Sequence, residues 1–344
     1  MIQIVIKLFT LVSVSFAFAL LTTPVLTKLL YRHRLGKNIR NDGSTPIFSG
    51  LHKEKAGTPT MGGILVWGTL CCVMFLLWFL GEVLEIKFFQ SLDFYSRKET
   101  LLPLGALLGA SLVGLLDDWL DIRKLGHKGR GLRFRFKVLL YALVAAIGAW
   151  WFYFKLGFST IHLPFVGNFD FHFWYIPFFI LLVVGVSFAV NETDGLDGLA
   201  GGTLLASFFA YGLIAFSQGK YDLVAFLAVI CGSLLAFLWF NVYPARFFMG
   251  DTGAMGLGVL LAIVAFLTNA VMLLPFIGFI FMIEAMSFFL QLFWKKVCKK
   301  KLFLSSPIHH HFEALGWPET KVTMRFWIIS GVMSIIGVII YFIS

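Results

Sequence analysis

The sequence predicts an all-α polytopic integral membrane protein of about ten transmembrane helices, with residues 1–344 forming a single membrane-embedded domain. Three observations carry this reading. Hydrophobic residues make up 59% of the chain and charged residues only 13%, and the mean hydropathy is +0.87, a composition no soluble globule has. Uncharged runs long enough to cross a bilayer recur, as at 174–190 and 199–217. The basic residues behind the net charge of +10 cluster beside the ends of such runs. That placement sets orientation and attracts anionic partners, and it argues against nucleic-acid binding.

The first span covers about 8–30 and ends on Lys28, Arg32, Arg34, Lys37 and Arg40. This basic flank marks the cytoplasmic side and puts the N-terminus outside. No small-residue cleavage site precedes it, so the run reads as a retained span. A polar segment with Lys53 and Lys55 leads to Gly57-Thr58-Pro59-Thr60-Met61-Gly62-Gly63, and a second span takes the chain out by Leu80. The third, 101–116, returns it to Asp117-Asp118 and a loop carrying Arg123, Lys124, Lys128, Arg130, Arg133, Arg135 and Lys137. The fourth, about 136–154, precedes Pro164, Gly167 and alternating Phe169, Phe171 and Phe173, which predict a short hairpin at the interface. Spans five and six flank Asn-Glu-Thr-Asp-Gly-Leu-Asp-Gly-Leu-Ala-Gly-Gly at 191–202.

Span seven, 223–240, comes back to Asn-Val-Tyr-Pro-Ala-Arg-Phe-Phe-Met-Gly-Asp-Thr-Gly at 241–253, and span eight covers about 254–267. A ninth segment, 272–294, contains Glu284 and Gln291 and is expected to bend. Lys295, Lys296, Lys299, Lys300 and Lys301 then mark the cytoplasm, Pro-Ile-His-His-His-Phe-Glu stands at 307–313, and a tenth span, 326–342, leaves the C-terminus outside. The four cysteines lack Cys-x-x-Cys spacing, so neither a disulfide framework nor a zinc site is indicated.

Asp117, Asp118, Asp194, Asp197 and Asp251 come from three places in the sequence, and this topology puts all five at the inner membrane face. An ionised Asp at a helix centre costs about 2.5–3.5 kcal/mol on insertion scales, so acids near membrane depth face cavities and work there. Asp194 and Asp197, three apart, are expected on one helix face. Adjacent Asp117 and Asp118 point about 100° apart on a helix, so one can pair with a base while the other enters the site. Carboxylates inside a basic rim favour Mg²⁺ and phosphates, and together they suggest phosphoryl transfer at a membrane surface. Neither a Gly-x-x-x-x-Gly-Lys-Ser/Thr loop nor a Gly-x-Gly-x-x-Gly fingerprint is present. Plainer readings stand beside these: residues 250–253 as an ordinary helix cap with Asp251 solvated, and the His triplet as interfacial polar groups. A lipid or ion transporter is the rival from another class, but it would spread its acids through membrane depth.

Five segments, 55–63, 114–118, 191–200, 241–253 and 307–319, together resemble the phospho-N-acetylmuramoyl-pentapeptide-transferase family of bacterial cell-wall synthesis, over nearly the whole chain. The resemblance implies transfer of phospho-N-acetylmuramoyl-pentapeptide from UDP-N-acetylmuramoyl-pentapeptide to undecaprenyl phosphate at the bacterial inner (cytoplasmic) membrane, giving lipid I and UMP with Mg²⁺. It makes Asp251 the metal ligand and puts Asp117 and Asp118 in the catalytic centre, Asp117 positioning or deprotonating the lipid phosphate. Asn191, Asp194, Leu196, Asn241 and Phe248 fall in the nucleoside region, with Phe248 offering its ring to uracil and Asp194 or Asp197 accepting hydrogen bonds. Lys55, Thr60, Gly250, His309, His310 and His311 line the same cavity, the triplet toward the diphosphate or sugar-peptide end. A homodimer in membrane lipid is also implied. Asp121, Glu192 and Ala254 depart from the family pattern, and the closest enzymatic rival is another polyprenyl-phosphate sugar-1-phosphate transferase.

Overall fold

A helix that is apolar all round is stable only in lipid or among other helices, and this chain uses both surroundings. The computed structural model describes residues 1–33, 35–36, 55, 57–126 and 131–344. Arg34, Lys37, Arg40, Lys53, Lys128 and Arg130, part of the expected basic flanks, lie outside the described residues. The long helices are α1 (Ile2–Arg32), α2 (Ile64–Trp78), α3 (Leu102–Ile122), α4 (Phe134–Trp150), α5 (Tyr175–Thr193), α6 (Leu199–Ser217), α7 (Tyr221–Asn241) and α8 (Asp251–Leu267). They are followed by α9 (Phe279–Cys298), the short α10 (Ile308–Ala314) and α11 (Glu319–Ile343).

Among the described residues, eight helical stretches are long and apolar enough to cross a membrane, α1 to α7 and α11 with their flanking turns. A ninth is reached if Val271–Ile277 and Phe279–Cys298, which meet at 84°, count as one span. The break in the expected ninth segment falls at Gly278. Glu284 and Gln291, the residues that suggest a bend, lie beyond it in unbroken helix with Ser287, on a buried stripe that faces protein. The expected hairpin is also present: β1 (Thr160–Leu163) pairs antiparallel with β2 (Gly167–Asp170), Ile161 opposite Phe169. It is the described exception to an otherwise helical chain.

At 17 residues, α8 spans only roughly 25 Å and is shorter than the other spans, yet it is the most enclosed element. Every residue from Thr252 to Leu267 is buried. It packs against α3 and α5, while α7 packs against α1 and α6, and α11 against α6. The α3 contact depends on a missing side chain. A Cβ at Gly114 would stand 2.4 Å from the Asp251 carbonyl oxygen, so α3 meets the start of α8 backbone to backbone. Asp117 and Asp118, one turn further along α3, thereby arrive beside Asp251.

Overpacking a tight contact costs about 1–3 kcal/mol. Gly114→Val is therefore expected to lower the thermal midpoint in detergent, whereas Gly185→Ala, where a Cβ meets nothing within 4 Å, leaves it unchanged or higher. Equal midpoints for the two variants would show that α3 does not need the close approach.

Candidate active site

The ends of α3, α5 and α7 and the starts of α4 and α8, with the turn before α6, converge at one end of the bundle, and each brings a polar side chain. Lys137, in the first turn of α4, reaches both Asp117 and Asp251. Its Nζ is 2.9 Å from Asp117 Oδ2 and also contacts Asp251 Oδ2. The remaining oxygens are occupied as well: Asp117 Oδ1 accepts the Leu132 N–H at 2.7 Å, and Asp251 Oδ1 accepts from Asn191 Nδ2 at 2.7 Å. All three charged side chains are mostly buried, at 13–19% exposure. Such charges persist only when paired and hydrogen-bonded.

Asp118 does something different. Its Oδ1 accepts the Asp251 N–H at 3.2 Å and its Oδ2 accepts the Thr252 N–H at 3.0 Å, so a residue of α3 caps the N-terminus of α8. The first N–H groups of a helix have no partner within it, and the helix dipole favours an anion there. The adjacent acids thus divide as their 100° separation suggests, Asp117 to the lysine and Asp118 to the helix start. Among the described residues, no group of three or more His, Cys, Asp or Glu side chains is arranged to hold a metal ion.

The stretch between α5 and α6 corrects one expectation. Asp194 and Asp197 do not share a helix face, because α5 ends at Thr193 and α6 begins at Leu199, with Gly198 in the left-handed region at φ 77°. The two acids leave this turn toward different partners. Asp194 Oδ2 accepts the Gly250 N–H at 3.2 Å. Asp197 Oδ1 pairs with Lys55 Nζ at 2.6 Å, and its Oδ2 accepts the Ala245 N–H at 3.0 Å. Lys55 also lies 2.5 Å from Glu319 Oε1, with its Nζ 5.8 Å from the centroid of the half-buried Phe248 ring.

Asn241 spends both ends of its amide on backbone, accepting from Gly198 N at 3.0 Å and donating to Phe247 O at 2.8 Å. Leu196 turns away into a small buried cluster with Leu199, Ile280, Val322 and Phe326. Two loop segments are zipped together beside these groups: Phe248 N donates to Pro59 O, Gly62 N to Phe248 O and Gly63 N to Met249 O, at 2.8–2.9 Å. The zipper brings Thr60 against Gly250, whose φ is 73°. A Cβ at Gly250 would collide with Thr60 Oγ1 at 2.6 Å and Asp118 Oδ2 at 2.7 Å. Thr60 Oγ1 is buried and lacks a hydrogen-bond partner among the described residues.

The three histidines, on α10, have three environments. His309 is fully buried, its Nδ1 3.0 Å from Glu284 Oε2 and its ring packed on Gly195 in the α5–α6 turn. His310 Nδ1 lies 2.6 Å from Glu313 Oε2. His311 is half-buried, and its Nδ1 accepts the Leu304 N–H at 3.2 Å. Burial is the largest single influence on His309 and opposes its charge, but Glu284, through attraction and a hydrogen bond, together with Glu313 and Glu192 outweighs it and holds the imidazole pKa above its usual 6.5.

The structure brings Asp117, Asp118, Asn191, Asp194, Asp251 and Gly250 together, as the sequence leads one to expect, but the sequence presents Lys137 only as part of a basic loop. Its signal was a lysine inside the first turn of an apolar helix, four residues after Arg133. Glu284 was read as a bend, and Glu319 only as part of a motif.

Residues 100–269 of this helical, membrane-span-rich chain match glycosyl transferase family 4, which gives its class. Residues 55–65 match phospho-N-acetylmuramoyl-pentapeptide-transferase signature 1. The chain is 37% identical over 341 residues to a phospho-N-acetylmuramoyl-pentapeptide-transferase of Chloroflexus aurantiacus (strain ATCC 29366 / DSM 635 / J-10-fl), covering 95% of this chain and 88% of that one. It is 38% identical over 333 residues to the protein of that name from Clostridium perfringens (strain 13 / Type A), covering 96% and 98%, and 37% over 328 residues to that of Geobacillus sp. (strain WCH70), covering 95% of each. The chain belongs to the phospho-N-acetylmuramoyl-pentapeptide-transferase family.

The raised His309 pKa has a sign that can be checked. The stabilisation from the His309–Glu284 pair is fully present below the unfolded imidazole pKa of about 6.5 and is lost as pH rises through the higher folded value. The thermal midpoint of the detergent-solubilised protein should therefore fall more steeply with pH above about 6.5 than that of Glu284→Gln. Parallel curves would show that the pair carries no charge-dependent stability.

Proposed function

We propose that this chain transfers phospho-N-acetylmuramoyl-pentapeptide from UDP-N-acetylmuramoyl-pentapeptide to undecaprenyl phosphate, releasing UMP, at the cytoplasmic face of the bacterial inner membrane. The observation that carries the reading is the Asp117–Lys137–Asp251 arrangement at the ends of apolar helices, in a chain of this family. Attack of one phosphate on a diphosphate replaces one phosphoanhydride with another. The exchange is nearly balanced, so catalysis reduces to positioning and charge neutralisation.

The donor chemistry fits Mg²⁺. Asp117 and Asp251 offer hard oxygen ligands, and the cation Lys137 already sits between them. Mg²⁺ is commonly held by one or two carboxylates, with phosphate and water completing its shell, so a cage of three protein acids is not required. Asp251, with Asp117 beside it, would hold the ion, which when bound supplies charge neutralisation at the diphosphate. Lys137 fixes a second positive charge there. Asp118 keeps the start of α8, and so Asp251, in place. Asp117 orients the incoming lipid phosphate, which is already ionised near pH 7 and needs a base only in part. Phe248 offers a ring face to uracil beside Lys55 and Asp197, and the turn carrying Asp194 shapes the same pocket.

In the membrane, α8 and the bent α9 segment complete ten spans. Lys28, Arg32, Arg123, Lys124 and Lys295 to Lys301 lie on the site side, which the positive-inside rule makes cytoplasmic, and both termini are then outside. The same reading carries a homodimer.

Detergent-purified protein given both substrates and Mg²⁺ should release UMP. Asp251→Asn and Lys137→Met should each lose about 100-fold or more in turnover, about 2.7 kcal/mol of transition-state stabilisation. Turnover of Asp251→Asn near the wild-type rate with unchanged Mg²⁺ dependence would remove Asp251 from the metal site. Phe248→Ala should raise KM for the nucleotide substrate and leave KM for the lipid within twofold; equal small changes in both would make Phe248 a packing residue.

A further inference from the structure

α11 begins with Glu319, directly after Pro318, and three residues on one face of this helix reach the same backbone turn. Glu319 Oε1 accepts the Asp197 N–H at 2.6 Å. One turn later, Thr323 Oγ1 donates to Asp197 O at 3.3 Å, and after another turn Trp327 Nε1 donates to Gly198 O at 3.0 Å. Spacing of four residues puts 319, 323 and 327 in one row, so α11 serves as a template for the 197–198 turn. Glu319 differs from the other two. The oxygen that accepts from Asp197 N also accepts from Lys55 Nζ at 2.5 Å, and Asp197 Oδ1 takes the same ammonium at 2.6 Å.

A carboxylate in the first turn of a helix ordinarily serves that helix's own unpaired N–H groups. Here Glu319 Oε1 is turned outward onto two other segments, those of Asp197 and Lys55. Lys55 has a four-carbon stem with many rotamers, and left alone it would sample most of them. Two carboxylates confine its ammonium beside the Phe248 ring, and the second oxygen of Asp197 is itself fixed by Ala245 N. The side chains of Lys55, Asp197 and Glu319 are only 16%, 3% and 11% exposed, so the arrangement is formed in protein surroundings before any substrate arrives.

We propose that Glu319 is a positioning residue for nucleotide recognition: it touches no reacting group, but ties Lys55 to the Asp197 turn beside Phe248 so that this pocket is preorganised. Affinity gained this way comes from ordering that is complete in the free protein. The proposal rests on reading Lys55, Asp197 and Phe248 as the nucleoside pocket.

The test uses full-length protein in detergent, with UDP binding by calorimetry and steady-state turnover measured on the same variants. Glu319→Gln keeps an oxygen for Asp197 N–H but removes the charge facing Lys55. It should raise Kd for UDP and KM for the nucleotide substrate about tenfold, with KM for the lipid and kcat within twofold. Glu319→Asp, which keeps the charge on a shorter stem, should recover part of the loss. In a Lys55→Met background, Glu319→Gln should add nothing further, because it acts through that ammonium. Thr323→Val removes a bond to the same turn without touching Lys55, so it should lower the thermal midpoint and leave Kd for UDP unchanged. Unchanged Kd in Glu319→Gln, a rise of equal size in Thr323→Val, or penalties that simply add in the double variant would overturn the proposal. A wild-type protein that binds UDP yet releases no UMP would overturn the transfer reaction instead, and the UDP series would still decide the role of Glu319.

Discussion

The first N–H groups of a helix that starts against neighbouring helices need partners from outside that helix, and the start of α8 is where this chain meets that constraint. The answer comes from neighbouring helices and not from α8 itself. Asp118 of α3 takes the Asp251 and Thr252 N–H groups, and Asp194, at the end of α5, takes the Gly250 N–H. The acids gathered beside Asp251 are therefore also what allows α8 to begin there. Gly114 makes the arrangement possible by letting α3 approach to backbone contact.

Gathering acids at one helix start creates a second demand, because like charges at close range repel strongly where water is scarce. Two carboxylates, Asp117 and Asp251, share one ammonium, that of Lys137. The helix dipole of α8 offsets part of the charge on Asp118. The Lys137 ammonium, held between Asp117 and Asp251, is what lets both stand at the same helix start. The Lys55 corner has the same character in miniature, with one ammonium between two carboxylates.

Much of this was legible in the sequence because it depends on hydropathy and on acids placed where acids are costly. The runs at 174–190 and 199–217 and the polar interruption between them reappear as α5, α6 and the turn joining them. Local spacing did less well. Asp194 and Asp197 look like helical neighbours at i and i+3, but Gly195 and Gly198 let the chain leave helical geometry, and the acids part. Lys137 was hidden for the opposite reason: a lysine next to a basic loop reads as an orientation signal until α3 and α8 are seen on either side of it. Glu284 and Glu319 required tertiary knowledge, since their partners His309 and Lys55 lie 25 and 264 residues away. The His triplet was visible as a motif, but its division into a buried residue, a Glu313-paired residue and a half-buried one depends on how α10 docks against α9 and the α5–α6 turn.

The two halves of the site are mechanically joined. Residues 59–63 are zipped to 248–249, so the segment leading from Lys55 and the segment leading to Asp251 share a backbone ladder. Asn241 closes the other side by bonding Gly198 N and Phe247 O at once. The end of α5 touches both halves as well: Asn191 holds Asp251, Asp194 holds Gly250, and the turn that follows carries Asp197 to Lys55. A displacement of that turn cannot alter the Lys55 corner alone, because the same few residues set the position of Asp251. The separation of the Lys55 corner from the Asp117–Lys137–Asp251 group is thus set by a continuous run of hydrogen bonds, most of them to backbone. His309, packed against Gly195 and paired with Glu284, presses on this turn from behind, which gives α9 and α10 a hold on both halves through it.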